Sequence, residues 1–175
     1  SLIYSVATLG YYAHVQRVLG LPLSLIGTSI GRVFIHEASK EKLTTGKAIQ
    51  TFKSTMKKLI LIGLPIFAFL FLIVEDLFAF VFGEPWRIAG EYAHIVIPFF
   101  FVQFVISSIS STETIMEKQN LDLLFNIAIL AGSMIVIVVA SGFGFKIFLI
   151  NWAIVLSLLY AIYGFVLMKM ADGKI

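Results

Sequence analysis

The sequence predicts an all-α integral membrane protein of about five transmembrane helices. Hydrophobic residues make up 59% of its 175 positions and charged residues 13%, whereas soluble globular proteins average about 45–50% and about 25%. Uncharged apolar runs such as 59–74 and 123–145 approach the roughly 20 residues that a helix needs to cross the hydrocarbon core. A chain of this length has room for about five such helices with their connections, and for no separate soluble domain.

Five spans account for most of the chain, which is read as one transmembrane domain. They are predicted, in order, at about 8–35, 59–82, 93–112, 123–143 and 147–168. The first is the most polar. The second and third each carry an internal proline, Pro65 and Pro98, which transmembrane helices tolerate and transporters use as flexing points. The fourth and fifth are almost entirely apolar, and Asn126 and Asn151 within them are predicted to bond neighbouring helices.

The longest connection, 36–58, is predicted to be a basic cytoplasmic loop. It holds six lysines, and cytoplasmic loops of membrane proteins carry an excess of positive charge. Alternation of the loops then puts nine cations in the cytoplasm and only Arg87 and Lys146 outside, with the C-terminus cytoplasmic. Within this connection, residues 49–59 have apolar side chains at helical spacing, which predicts an amphipathic helix on the anionic inner leaflet or, equally, a solvated basic linker.

Small residues along one face of the first span predict close helix packing. Gly27 and Gly31 have the G-x-x-x-G spacing that lets helix backbones approach each other in a membrane. At 3.6 residues per turn, Gly20 lies on the same side of the helix. These three glycines are the predicted helix-packing positions.

The same face carries His14, Arg17 and Ser24, which predict a polar cavity. An arginine deep in a span costs at least about 2.5–3.5 kcal/mol on insertion scales unless it meets protein, a partner or water. Arg17 is therefore predicted to line a substrate-binding cavity with His14 and Ser24, the alternative being that it snorkels to the outer headgroups. In the third span Gln103 and Ser107 share a face, and are predicted either to bond neighbouring helices or to contact the ligand in that cavity.

No motif for catalysis, metals, cofactors or nucleic acid is complete in the sequence. TTGKA lacks the first glycine and the hydroxyl residue of a P-loop, GFGFKI lacks the third glycine of a dinucleotide fingerprint, and HEASK has Lys40 where a zinc helix needs its second histidine. The three histidines lie in different segments without metal-ligand spacing. The sequence therefore predicts no enzyme, no metal and no cofactor, and its basic residues without interleaved aromatics argue against nucleic acid as a partner.

Two stretches together resemble a known family of exporters. YYAHVQRVLGLPLSLIGTSIGRVFIHEASK, followed by LPIFAFLFLIVEDLFAFVFGEPWRIAGEYAHIVIP, is similar to the C-terminal half of bacterial polysaccharide-type flippases, including O-antigen flippases. These belong to the multidrug/oligosaccharidyl-lipid/polysaccharide exporter superfamily. The motifs that carry the resemblance are Tyr-x-x-x-x-Arg-x-x-x-x-Pro, a Glu-Ala-Ser exit from that helix, and Phe-Gly-x-x-Trp-x-x-Ala-Gly before a proline-bearing span.

The resemblance implies two pseudo-symmetric lobes of helices around a central cavity, with this chain forming most of one lobe. It further implies a flippase that moves a polyprenyl-diphosphate-linked oligosaccharide, such as an O-antigen repeat unit, from the inner to the outer leaflet of the bacterial inner membrane by alternating access. By motif position, Arg17 is the residue that would face the diphosphate. The chain starts at Ser1 without an initiator methionine. We therefore expect an N-terminal lobe of the same protein as partner, beside membrane lipids and the lipid-linked oligosaccharide, and expect the fragment alone to be inactive.

Two other functions stay open from the residues alone. A drug or cation antiporter of the same superfamily would prefer buried carboxylates, whereas the charges deepest in the predicted spans are basic, which favours an anionic substrate. Part of a membrane glycosyltransferase or polymer ligase would need catalytic carboxylates or histidines in a large outer loop. The predicted outer loops are short.

Overall fold

The computed structural model describes residues 4–140 and 142–175 and confirms the all-α prediction. Five helical segments in it are long and apolar enough to cross a membrane. In chain order the elements are α1 (Val6–Thr45), α2 (Ile49–Phe82), a 3₁₀ turn (Glu84–Trp86), α3 (Arg87–Ser107), the one-turn helix α4 (Thr112–Ile115), α5 (Gln119–Ala140) and α6 (Phe145–Ala171). Two predictions concern residues outside this range. The expected N-terminal lobe was inferred from Ser1, and the predicted fourth span includes Ser141.

The prediction of a loop over residues 36–58 is wrong, because only residues 46–48 lie between helices there. α1 continues until Gly46 ends it in the left-handed conformation (φ 73°), which glycine adopts without a steric penalty. α2 begins directly afterwards, since the Glu41 carboxylate accepts hydrogen bonds of 3.0 and 2.7 Å from two backbone N–H groups in its first turn. The lysine-rich segment is therefore helical on both sides of a tight turn.

The apolar stripe of residues 49–59 faces protein and not the membrane surface. Phe52 is 0% exposed and Leu59 1% exposed. Phe34 of α1 packs edge-on against Phe52, with ring centroids 6.5 Å apart. The predicted helical periodicity is confirmed, because residues 49–59 form the first turns of α2. Their apolar side chains pack on α1, so the segment is neither a helix lying on the leaflet nor a solvated linker.

α3 is the central helix of the bundle. It packs against α1, α2 and α6, whereas α5 packs at the edge against α6. Three phenylalanines of α3, Phe99, Phe100 and Phe104, are 3%, 4% and 6% exposed and fill the space between these helices. The approach of α3 to α2 is very close, because a Cβ atom added to Gly90 would lie 2.6 Å from the Glu75 Cα atom.

Polar contacts join chain segments at one end of the bundle, near the turn 46–48. Lys47 Nζ lies 3.1 Å from Asp172 Oδ1, and the Ala48 N–H donates to the Ala171 carbonyl at 2.9 Å. Hydrogen bonds from Lys174 and Lys47 hold the pKa of Asp172 below its usual value. The turn after α1 and the end of α6 therefore lie together at this end.

A second set of ion pairs lies at the opposite end. Arg87 donates to both carboxylate oxygens of Glu84 at 3.0 Å and to Asp76 Oδ1 at 2.6 Å. Lys146 Nζ lies 2.5 Å from Glu91 Oε2. Successive connections thus alternate between the two ends of the bundle, as the predicted up-and-down order of the spans requires.

The prediction that Asn126 and Asn151 bond neighbouring helices is wrong. Each side-chain amide donates to a carbonyl one turn earlier in its own helix, at Asp122 O (3.0 Å) and Ile147 O (2.8 Å). Both asparagines are exposed on the outside of the bundle, so a local bond satisfies their donors at little conformational cost.

Candidate functional site

A polar groove runs along the contact between α1 and α3. It consists of two adjoining cavities, of about 260 and 380 Å³, that share Ser24 and Ser107 as lining residues. The first is also lined by Gln16, Gly20, Leu23, Phe100, Gln103 and Phe104, and the second by Gly27, Thr28, Gly31, Arg32, Ile35, Ser108 and Ser111. The structure thus brings together three of the predicted cavity residues, Ser24, Gln103 and Ser107.

Glycines of α1 form the floor of the polar groove, where the two helices come closest. A Cβ atom on Gly27 would lie 3.0 Å from Ser108 Oγ, and one on Gly31 would lie 3.2 Å from the Ser108 carbonyl oxygen. Gly20 is less crowded, since its nearest neighbour for a Cβ atom is Phe100 Cε1 at 4.0 Å. Close approach at Gly27 and Gly31 leaves the larger polar side chains on both sides of them to line the walls.

Two hydroxyl groups on the α1 side of the polar groove donate to carbonyls of their own helix. Ser24 Oγ donates to Leu21 O (2.8 Å) and Thr28 Oγ1 to Ser24 O (2.7 Å), while Gln103 Nε2 donates to Tyr160 Oη at 3.3 Å. Each hydroxyl oxygen keeps lone pairs for further bonds, and the Gln103 amide keeps acceptor and donor capacity. Such a surface matches a ligand rich in hydroxyls, because sugar hydroxyls both donate and accept hydrogen bonds.

Two arginines lie at different positions along α1. Arg32 lines the second cavity, and Arg17 lies on the exposed side of α1 next to Gln16, outside the lining of either cavity. Within the part of the chain that the structure describes, neither guanidinium forms an ion pair or a hydrogen bond. Fifteen residues separate them, which is roughly 22 Å along a helix. Arg17 was predicted to line the cavity, but it is exposed and does not belong to the lining.

His14 does not lie in the polar groove, contrary to the prediction. Its ring packs among aromatic side chains, with centroid distances of 4.6 Å to both Phe82 and Trp86 and 6.3 Å to Phe78. Its Nε2 atom is buried there without a hydrogen-bond partner. Three residues along a helix turn a side chain by roughly 60°, so His14 points toward α2 while Arg17 stays on the open side of α1.

The two sequence stretches that resemble the exporter family meet in space at this aromatic cluster. Trp86, in the turn before α3, packs edge-on against Tyr11 with ring centroids 5.3 Å apart and also contacts His14. Gly83 permits the turn because it adopts φ 97°, which side-chain-bearing residues rarely do. These contacts therefore have a packing role, because they hold the first turns of α1 against the turn between α2 and α3.

A carboxylate pair meets a tyrosine in a cluster that the sequence analysis did not find. The Tyr163 hydroxyl of α6 donates to the Glu113 carboxylate of α4 and lies 3.3 Å from Asp122 Oδ1 of α5. The Tyr163 ring stacks on Phe125, with centroids 3.8 Å apart. These residues come from three different elements, so no spacing in the sequence signals the cluster. Among the described residues, no group of three or more metal-ligating side chains occurs.

Comparison with known proteins places the chain in a family. The family model described as polysaccharide biosynthesis protein matches residues 1–91. This region contains Ser24 and Arg32 of the polar groove, the exposed Arg17, and the three motifs that carry the resemblance. Searches among curated proteins and among solved structures found no match. The matched region is more than half of the 175 residues and confirms the predicted resemblance. The chain, a multi-pass membrane protein by its five apolar helices, belongs to the polysaccharide biosynthesis protein family.

Proposed function

We propose that the chain forms part of a flippase that moves a polyprenyl-diphosphate-linked oligosaccharide across the bacterial inner membrane. The observation that carries the proposal is the polar groove along α1 and α3, which is lined by hydroxyls, amides and the unpaired Arg32. A second unpaired arginine, Arg17, is exposed on the same helix. Membership of the polysaccharide biosynthesis protein family supports a glycan as cargo. An O-antigen or related repeat unit is the expected glycan class.

The sugar units bind along the walls of the polar groove. Ser24 and Ser107 line both of its cavities and are exposed, so their oxygens are accessible to a ligand that enters from the open side. Gln103 adds an amide on the α3 wall. Hydrogen bonds of this kind are individually worth about 0.5–1.5 kcal/mol, which suits a carrier that must release its cargo.

The diphosphate is held by the two arginines in turn. A guanidinium presents a planar fork of N–H donors that matches phosphate oxygens bidentately. Arg32 lies near the end of the apolar part of α1 and Arg17 roughly 22 Å further along the helix. In an alternating-access cycle, Arg32 receives the diphosphate at one leaflet and Arg17 holds it nearer the other.

The open side of the polar groove faces the second lobe of the complete transporter. Polar residues such as Thr28 are exposed there, and a hydroxyl-lined surface is costly against lipid tails. A facing lobe would close the groove into a central cavity, and rocking of the two lobes would open it to either side. The protein in this account is a carrier that leaves the bonds of its substrate unchanged.

A cation or drug antiporter fits the polar groove less well. Within the described residues, the lining of both cavities contains Arg32 but no aspartate or glutamate. Carboxylates are the groups that would balance a cationic substrate. An anionic, hydroxyl-rich cargo matches this lining better.

The C-terminus and the turn 46–48 lie on the cytoplasmic side in this proposal. The lysines concentrate at that end of the bundle, and positive charge marks cytoplasmic connections. A single cysteine introduced at Lys47 should resist an impermeant thiol reagent in intact cells, and one at Pro85 should react. The reverse labelling pattern would invert the orientation.

Replacing Arg17 in the complete protein tests the proposed function. Arg17→Ala should abolish surface glycan at normal membrane abundance, and Arg17→Lys should restore only part of it because a point charge lacks the donor fork. Lys40→Ala, an exposed change on the same helix away from the polar groove, is the control and should export normally. Wild-type export from Arg17→Ala would leave snorkelling as the account of this arginine.

A further inference from the structure

A separate cavity lies between the last turns of α1 and the first turns of α2. It has a volume of about 310 Å³ and is lined by Val33, Phe34, Glu37, Gln50, Thr51, Ser54, Thr55 and Lys58. Thr28 of the polar groove and Glu37 are nine residues apart, which at 3.6 residues per turn places them on opposite faces of α1. This α1–α2 cavity therefore opens away from the polar groove and is independent of it.

The α1–α2 cavity lies where the apolar part of the bundle begins. Lys58 immediately precedes the uncharged run 59–74 of α2. Around the cavity the helices expose large apolar side chains, with Val33 64% and Leu61 63% exposed. A membrane would therefore place its hydrocarbon against these side chains and its headgroups at the level of the cavity.

One positive and one negative side chain line the α1–α2 cavity without pairing. Within the described residues, Lys58 forms no ion pair, and Glu37 Oε1 lies 4.0 Å from Nε2 of its chain neighbour His36. The next carboxylate along α1, Glu41, is already occupied by two backbone N–H groups of α2. The cavity thus offers the Lys58 ammonium, the Glu37 carboxylate and the hydroxyls of Ser54 and neighbouring residues. The two charged groups do not pair with each other.

We propose that the α1–α2 cavity binds the headgroup of phosphatidylethanolamine. The lipid phosphate accepts charge-assisted hydrogen bonds from Lys58 and from the hydroxyls of Ser54 and Thr55, and the ethanolamine ammonium donates to Glu37. Purely anionic headgroups would meet repulsion from Glu37. A choline headgroup has no N–H to donate to that carboxylate. The acyl chains lie on the exposed apolar surface beside the cavity.

Lipid retention measured by native mass spectrometry tests this site. The complete protein, purified in detergent, is mixed with equal amounts of phosphatidylethanolamine, phosphatidylglycerol and phosphatidylcholine. Wild type should retain phosphatidylethanolamine in preference to the other two. Lys58→Ala should lower its retention about tenfold, the effect of losing about 1.4 kcal/mol, and Glu37→Gln should abolish the preference over phosphatidylglycerol. Lys57→Ala removes a neighbouring exposed lysine outside the cavity lining and should match wild type.

Three results would overturn the assignment. Equal retention of the three lipids by wild type would remove the selectivity on which it depends. Equal losses in Lys57→Ala and Lys58→Ala would indicate general surface charge and not the cavity. Displacement of the lipid by soluble glycerophosphoethanolamine at the same concentration would assign the cavity to a free phosphate compound and not to a membrane lipid. Because no arm measures export, the outcome is independent of the proposed flippase function.

Discussion

Gly90 is the position where a single added methyl group should separate two helices. A Cβ atom there would lie 2.6 Å from the Glu75 Cα atom and 3.0 Å from the Glu75 carbonyl oxygen, whereas ordinary contacts begin at 3.4 Å. Both neighbours are backbone atoms, so no side-chain rotation relieves the clash. Gly90→Ala therefore forces α2 and α3 apart by about 0.8 Å at this point. The 3.2 Å contact between His94 Nδ1 and Glu75 Oε1 lies beside it and would be disturbed.

The expected change in the free energy of unfolding is the difference between two opposing effects. Overpacking of a tight contact typically costs about 1–3 kcal/mol, and a clash with backbone belongs at the upper end of that range. Alanine is a better helix former than glycine by about 1 kcal/mol. The free energy of unfolding should therefore fall by about 2 kcal/mol in Gly90→Ala.

Unfolding of the purified protein in mixed micelles, titrated with SDS, measures this change. Gly10→Ala is the matched control, because Gly10 lies in the first turns of α1 and has no atom within 4 Å of an added Cβ. The control should be neutral or slightly more stable than wild type. Equal stability of Gly90→Ala and Gly10→Ala would mean that α2 and α3 do not approach each other this closely at Gly90.

Two further predictions concern contacts inside the bundle. Gly31→Leu should lower the melting temperature in detergent, because a Cβ atom there would already lie 3.2 Å from a backbone oxygen. Gly20→Ala should melt like wild type, because the nearest atom to its Cβ would be 4.0 Å away. Equal melting temperatures of the two variants would show that this face is not tightly packed. Tyr163→Phe removes the hydrogen-bond donor to the Glu113 carboxylate and should cost about 1–3 kcal/mol of stability, measured by the same SDS titration; an unchanged free energy would mean that water replaces the hydroxyl.

The number and type of the spans could be predicted because the hydrocarbon core allows few backbone conformations. In the bilayer core each backbone N–H and C=O must be bonded within the protein, so an apolar run of sufficient length forms a helix. The polar residues that meet in the groove were also within reach of the sequence. Ser24, Gln103 and Ser107 each lie on a polar face of a predicted span, and polar faces avoid lipid.

The loop predicted at 36–58 shows where composition misleads. Charged residues in a long helix have the same local composition as a solvated connection, and lysine and glutamate are good helix formers. What distinguishes the two is the burial of Phe52 on α1 and the capping of α2 by Glu41, and both depend on contacts between helices. Such contacts leave only a weak trace in the sequence.

The sequence by itself determined that this chain has about five helices apolar enough to cross a membrane, which of their faces are polar, and to which family it is similar. Only the tertiary structure decided which faces meet. His14 packs in an aromatic cluster while Arg17 is exposed outside the lining of the polar groove, and Glu113 of α4 contacts Tyr163 of α6. The physical reason is that rotation and spacing of the helices are set by the closest contacts, such as Gly90 against Glu75, and these join residues far apart in the chain.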